Sequence, residues 1–453
     1  MKNILIISEH FAPENVIAAI RPTKIAKYFK KLGEYHITVL TTKKKLEISD
    51  SILENDLRYV DNLIAVDGYS KTSVIIPKIM KIRRRIEAKC NKTDEYAPAN
   101  ANHVNLSIHK SWSISNNWVK KEISRIAVFF PDYADSHIFF RNAKKYFKKN
   151  KNQNFDIIFS TYGPLASHQI GKNIKKLNKN AFWIADFRDA VLSDFVPIGF
   201  KHYCKNYSNR ICKNADVITA VSQGVIDGLY IKNNIKKMVI SNGFDRDDIR
   251  YFTKFDSHRK FILSYTGSLY SGKRDLSVLF KALHELINEN LIEEEKVSIC
   301  YAGGEEDIFF SQVRPFFLEN ISLSYGKLER KAALHLQSDS DILLLASWNT
   351  EKSNGIVTGK FLEYMMMDKP VISVITGEIP NSKIKELTSA CNLGVCFEQA
   401  NSDKDYEILK QYLLNKYNEF IEHGVVNYEP NREEIEKYSY EKIVENFKLL
   451  FPR

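Results

Sequence analysis

Cysteine is scarce and unpaired in this chain of 453 residues. Cys90, Cys204, Cys212, Cys300, Cys391 and Cys396 show neither metal-finger spacing nor a disulfide framework, which predicts reduced thiols. No apolar run approaches the roughly 20 residues that cross a bilayer. Met1-Lys2-Asn3 leads straight into Ile4-Leu5-Ile6-Ile7, too short a stretch for a secretion-signal core. These absences predict a cytoplasmic chain. The Gly-x-Gly-x-x-Gly fingerprint of an ordinary dinucleotide site is also missing after the first predicted strand. A Gly-x-x-x-x-Gly-Lys run does occur at Gly267 to Lys273, but Arg274 stands where a P-loop needs a hydroxyl for magnesium, which argues against that reading. Beyond two similar βα halves there is no internal repeat.

What is present is an ordinary globular balance, 44% hydrophobic and 27% charged, over a length that suits two domains. The formal charge of +11 and a pI near 9.0 call for an anionic partner. Basic residues are spread along the whole chain without a nucleic-acid motif, so a membrane surface or a lipid-linked acceptor is the better expectation and nucleic acid is not expected. Lys78-Ile-Met-Lys-Ile-Arg-Arg-Arg-Ile86, with Trp112 and Trp118 further on, suits a lipid interface or a solvated basic helix. Asn91 to Ile108 is polar and reads as a loop or insert.

Read in order, Lys2 to Ser8 is a buried-type strand, Ala18 to Leu32 a helix ended by Gly33, and His36 to Thr42 the next strand, the start of a doubly wound domain. Phe130-Pro131-Asp132 opens a helix to about Asn150. Phe155 to Ser160 is a strand, and the loop Thr161 to His168 opens another helix. Ala181 to Ala185 is a strand ending in Asp186-Phe-Arg188-Asp189. Open parallel sheets place ligands at such carboxyl ends, although Arg188 and the two carboxylates would equally pin the loop as an ion cluster. Lys213 to Ser222 and Met238 to Asp245 close the first domain, and Asn242-Gly243 begins the hinge. The second domain opens with Phe261 to Asp275, a strand, a glycine loop and a helix. Lys296 to Gly304, Ile321 to Gly326 and Asp341 to Ala346 are further strands.

The chain turns on Ser353-Asn-Gly-Ile-Val-Thr-Gly-Lys-Phe-Leu-Glu-Tyr-Met-Met-Met-Asp-Lys-Pro-Val-Ile-Ser-Val374. Thr358 is a natural N-cap for a helix from Gly359, and a helix start behind a glycine-bearing loop favours anions. The helix is apolar but for Glu363, which either lies on a thin solvent stripe or binds something, because a buried lone carboxylate is costly. Asp368-Lys369-Pro370 ends the helix, and Val371 to Val374 is a β-branched strand.

This segment resembles the donor-binding segment of family 4 glycosyltransferases, retaining enzymes of the GT-B fold that use nucleotide sugars. Pro131-Asp132, the Gly-Pro-Leu-Ala-Ser-His run to His168, and Asp186-Phe-Arg-Asp189 resemble one branch of it. The resemblance implies an α/β chain of two doubly wound Rossmann-like domains facing a cleft. Residues 1–243 would bind the acceptor and 259–431 the nucleotide sugar, with a C-terminal helix in 432–453 crossing back to the first domain. It implies that Glu363 holds the donor ribose and that Lys273 and Arg274 are the two candidates for the diphosphate. Gly267, Gly326, Ser347, Gly355, Ile356, Val357, Thr358 and Lys360 would complete the donor side. Asn15, Arg21 and Arg188 fall on the acceptor side, and His168 and Asp186 join Lys273 and Arg274 as catalytic candidates. Many members carry a second glutamate where this chain has Gly355. The chemistry implied is metal-independent and without cofactor. It transfers a sugar with retention to a glycan or lipid-linked acceptor, as in bacterial surface polysaccharide assembly, at the inner face of the cytoplasmic membrane. Two rivals fit the same fold: a non-hydrolysing sugar-nucleotide epimerase, and a non-catalytic scaffold that binds sugar nucleotides.

Overall fold

The computed structural model describes residues 1–43, 49–69, 106–162, 166–192, 196–231, 234–250, 260–351 and 357–452. Lys78 to Arg85 lies outside the described residues, as do Gly355 and Ile356.

In the first domain the chain runs β1 (Lys2–Ile7), α1 (Ile17–Lys31), β2 (Tyr35–Lys43), α2 (Ser51–Asp56) and β3 (Asn62–Asp67). It continues with α3 (Leu106–Lys149), β4 (Ile157–Tyr162), α4 (Ala166–Leu177) and β5 (Phe182–Phe187). The last elements before the linker are α5 (Lys201–Cys212), β6 (Val217–Ala220), α6 (Gln223–Asp227) and β7 (Lys236–Val239). The seven strands lie in the order β3-β2-β1-β4-β5-β6-β7, and every pairing is parallel. Strands of Ile, Leu, Val and Phe form because both faces of a parallel sheet are covered by helices.

The second domain follows with β8 (Phe261–Thr266), α7 (Ser277–Asn288), β9 (Val297–Ala302), α8 (Glu306–Val313), β10 (Ser322–Ser324) and α9 (Arg330–Asp339). Then come β11 (Ile342–Trp348), α10 (Gly359–Met365), β12 (Val371–Thr376), α11 (Lys383–Ala390), β13 (Gly394–Glu398) and α12 (Ser402–His423). Its sheet is ordered β10-β9-β8-β11-β12-β13 and is again all parallel. This is the GT-B arrangement of two doubly wound domains.

Two short helices, α13 (Arg432–Glu436) and α14 (Tyr440–Lys448), return the chain to the first domain. Ile443, Val444 and Phe447 enter the core beside Ile4, Ile25 and Phe29, and Phe451 stacks on Phe29 at 5.6 Å. The outgoing linker and the returning chain run side by side, with Phe244 N donating to Tyr438 O (3.0 Å) and Tyr440 N to Phe244 O (2.9 Å). A Cβ on Gly243 would lie 2.4 Å from Tyr438 O, so this approach needs glycine. The single terminal helix expected in 432–453 is therefore two. Residues 437–439 leave helical geometry to pair with Phe244, and Ser439 Oγ restarts the helix by accepting from Lys442 N.

A second correction concerns Pro131. It lies inside α3, a helix of 44 residues, and does not open it. Proline removes one N–H and crowds one carbonyl, and α3 tolerates this because Phe139, Ala143 and Phe147 anchor it to the core.

Candidate functional site

In both sheets the strand order reverses beside the first strand, and open sheets bind ligands in the crevice outside the carboxyl ends at that point. In the second domain the switch lies between β8 and β11. The loop after β8 carries Gly267 to Arg274. Arg274 Nη1 donates to Ser268 O at 3.0 Å, and its guanidinium lies 4.4 Å from the Tyr270 ring centre. Tyr270 meets Trp348, the last residue of β11, edge-on at 5.5 Å, and Lys273 Nζ is 6.0 Å from the Trp348 ring. The Thr376 hydroxyl lies 3.3 Å from both the Lys273 and Ser347 carbonyls and shares its one proton between them, linking this loop to β11 and β12. Two cations and two rings thus gather at one sheet edge, a setting that suits an anionic group beside a planar or sugar ring.

The helix α10 supplies the carboxylate. Thr358 Oγ1 accepts from Phe361 N at 3.2 Å, the N-cap read from the sequence. Phe361, Leu362, Tyr364 and Met365 are buried, and Glu363 keeps 14% of its side chain exposed. Its Oε1 accepts from Gln337 Nε2 at 2.9 Å and from Lys360 Nζ. Gln337 in turn donates to Thr266 Oγ1 at 2.8 Å, where β8 ends, so Glu363 is tied to the foot of the glycine loop. Glu363 Oε2 lies 4.0 Å from Arg330 Nε. Burial alone would raise the Glu363 pKa, but Lys360 and Arg330 hold it below the usual carboxylate range. It is ionised at neutral pH. Val357 and Thr358 are half-buried beside it, whereas Gly326 follows the edge strand β10, two strands from the switch point.

The first-domain candidates separate into two groups. Arg21 and Asp186 form a buried, two-pronged pair, with Nε to Oδ2 at 2.9 Å and Nη2 to Oδ1 at 2.8 Å. The remaining Arg21 donors reach the Ser241 and Ile240 carbonyls and Asn242 Oδ1. Asp186 also accepts from Thr161 and Thr219 hydroxyls. The buried carboxylate has four donors and the guanidinium has all its donors engaged, so both find their partners within the protein. The catalytic candidate Asp186 and the acceptor-side candidate Arg21 are thus found bound to each other at the strand ends. The cluster that pins the strand ends is formed with Arg21 from α1, a partner remote in sequence. Arg188 donates instead to the Tyr162 and Ala18 carbonyls, and Asn15 is exposed in the loop after β1.

His168 is buried on α4 against Phe187 and Tyr162, with ring centres 4.5 and 5.8 Å away. Its Nδ1 lies 2.8 Å from Ser160 Oγ. Trp183 Nε1 already donates to that oxygen at 2.9 Å, and the alternative acceptor for the hydroxyl, Ile184 O, is further off at 3.4 Å. Donation from the Ser160 hydroxyl to Nδ1, the shorter of its two contacts, leaves the imidazole proton on Nε2. Nε2 is buried without a partner among the described residues. Burial, reinforced by Arg188 and opposed by Asp186, pushes the imidazole pKa down to about 3. His168 is a neutral hydrogen-bond donor at neutral pH.

Sequence reasoning missed a buried ionic network. Lys24 and Lys27 of α1 are each 1% exposed. Lys24 Nζ meets Asp56 (2.6 Å), Asp245 (2.7 Å) and Asp248, and Lys27 Nζ meets Asp245 at 2.6 Å. Asp56, Asp245 and Asp248 could by spacing hold a metal ion, and the Lys24 ammonium occupies the place between them. Arg330 at the start of α9 extends the network, 2.6 Å from Asp248 and 3.6 Å from Asp50. The available signal was two lysines one helical turn apart in α1.

No family model matches the chain, and no curated protein matches it. Among solved structures it is similar to sucrose-phosphate synthase from Thermosynechococcus elongatus, with 12% identity, 99% of this chain and 98% of that one covered, and a TM-score of 0.55. It is also similar to the N-terminal domain of trehalose-6-phosphate phosphatase from Candida albicans, with 11% identity, 99% and 96% covered, and a TM-score of 0.54. For TarM the values are 12% identity, 100% and 99% covered, and 0.51. At such identities the likeness is one of fold, the two-domain GT-B fold over essentially the whole chain. Among the described residues no helix is long and apolar enough to cross a membrane.

Proposed function

We propose that this chain is a retaining glycosyltransferase that moves a sugar from a nucleotide-diphosphate sugar to an acceptor hydroxyl. The observation that carries the proposal is the second-domain switch point, where Lys273 and Arg274 stand on the loop after β8 and ionised Glu363 is tied to the same loop through Gln337 and Thr266. A carboxylate with one oxygen open suits the two ribose hydroxyls, and the cations suit a diphosphate whose charge grows as it leaves. With that charge met by side chains, the reading calls for no metal ion. In retention without an enzyme nucleophile, the leaving phosphate itself assists deprotonation of the incoming hydroxyl on the same face. His168, with its Nε2–H, is the first-domain donor offered to the bound sugar.

For the acceptor, the net charge of +11 favours an anionic, lipid-linked glycan reached from the cytoplasmic membrane surface, as in surface polysaccharide assembly.

Thermal-shift titration with UDP, GDP, ADP and their sugars tests the donor reading, because a ligand that binds only the folded state raises its stability. At least one diphosphate should raise the melting temperature. If none does, the donor site is wrong. Mass spectrometry of the donor alone then separates transfer from epimerisation, which yields an isomeric nucleotide sugar without acceptor.

A further inference from the structure

The loop that carries Lys273 and Arg274 is held by a side chain from another strand's end. Leu269 N and Tyr270 N donate to Glu305 Oε2 at 2.6 and 3.1 Å, and Ser271 N donates to Oε1 at 2.8 Å. The Ser268 hydroxyl donates to Oε2 as well. Three successive amides turned toward one anion form a nest, a shape that arises where residues enter the left-handed region. Here Tyr270 and Ser271 have φ of 51° and 54°, and Gly272 has 87°. Side chains with a Cβ resist that conformation and keep it only where the surroundings impose it. The Glu305 carboxylate holds all three amides in it, beside the turn bonds from Gly272 N and Arg274 N to Leu269 O.

The consequence reaches the cations. Arg274 N donates to Leu269 O at 3.0 Å, Arg274 Nη1 to Ser268 O, and the guanidinium lies on the Tyr270 ring. Each of these anchors belongs to the stretch that Glu305 clamps. With the nest filled by an internal anion, its amides are closed to a ligand and the side-chain cations face the donor.

We propose that Glu305 is a positioning residue for the leaving diphosphate, an internal anion that locks residues 268–271 so that Arg274 and Lys273 are preorganised toward the donor phosphates. The proposal rests on the reading of this site as a nucleotide-diphosphate site. Glu305 itself touches no substrate. The Ser268 hydroxyl bond foremost, with the backbone amides, keeps its carboxyl below the usual range, so the clamp is charged at neutral pH.

The test compares Glu305→Ala and Glu305→Gln with the unaltered protein by calorimetry, using UDP, GDP and ADP, each beside its parent nucleoside. For the diphosphate that binds, Glu305→Ala should lose roughly tenfold in affinity, the scale of one charge-assisted contact. Nucleoside affinity should stay within about twofold, since Glu363 is anchored to Thr266 within β8 and not to the clamped residues 268–271. Glu305→Gln, which keeps one acceptor oxygen, should fall between. Equal weakening of diphosphate and nucleoside would reduce Glu305 to general scaffolding and overturn the proposal, as would unchanged diphosphate binding. Tighter binding would make the nest the phosphate site and Glu305 its plug, which also overturns it. If no diphosphate binds the unaltered protein, the functional reading itself fails and this inference goes with it.

Discussion

At pH 5 the first domain should lose about 2 kcal/mol of stability through one side chain, His168. Its imidazole is buried, and its pKa is about 3 in the folded protein against roughly 6.5 in an unfolded chain. Between those two values the unfolded state binds a proton that the folded state refuses. Stability is therefore complete above about pH 6.5 and falls as the pH drops toward 3, by roughly 1.4 kcal/mol per unit. Other groups titrate in the same interval, so the measurement is a difference. In His168→Asn, the introduced amide oxygen can take over the contact from Ser160 Oγ that Nδ1 now makes, and the proton-binding group is gone. Urea unfolding at pH 7 and pH 5 in the two proteins isolates the term: the unaltered protein should lose about 2 kcal/mol more than the variant. An equal loss in both would mean that the buried imidazole is not excluded from protonation, and the neutral-donor role of Nε2 would fall with it.

Glu363→Ala should weaken nucleoside diphosphate binding by about 1.5–3 kcal/mol, the range for a hydrogen bond to a charged group; unaltered affinity in calorimetry would remove the ribose role. Replacing Lys273 and Arg274 together by Ala should depress turnover more than either change alone, because both act on charge that develops as the diphosphate leaves; wild-type turnover in the double variant would place the phosphate elsewhere. Lys24→Met should cost about 3–5 kcal/mol in urea unfolding, since it strands buried Asp56, Asp245 and Asp248 without their shared ammonium; a loss below about 1 kcal/mol would show those carboxylates to be solvated.

The parts of the fold legible in the sequence were those written in local pattern. β-branched runs announced strands such as Ile157–Tyr162 and Val371–Thr376, and Thr358 announced the start of α10. Contacts between remote segments were not legible. Asp186 at a strand end looked like a ligand-facing carboxylate because nothing nearby in sequence reveals that Arg21 reaches it from α1. Nothing local marks Lys24 and Lys27 as buried, since their partners at 245–248 lie across the whole first domain in sequence. Tyr270 and Ser271 gave no sign of left-handed backbone, for the cause is Glu305 on the next strand's exit. Pro131 misled in the opposite way, as a strong local signal overruled by the packing of α3.

The linker's charges bear on how the two domains can move. Asp245 and Asp248 are fastened to Lys24 and Lys27, whose side chains are almost wholly buried. Burial disfavours the Asp245 charge, but the two ammonium groups outweigh it and depress its pKa. Breaking this end would expose several charges to one another without counterparts, so it behaves as part of the first domain. The other end is different. Arg330 reaches Asp248 directly but stands 3.6 Å from Asp50 and 4.0 Å from Glu363, and its Nε and Nη1 have no hydrogen-bond partner among the described residues. The Arg330 guanidinium thus holds Asp248 while its Nε and Nη1 face Glu363 and Asp50 at longer range. A ligand that claims Glu363 alters the field at Arg330 and so reaches the linker through one side chain.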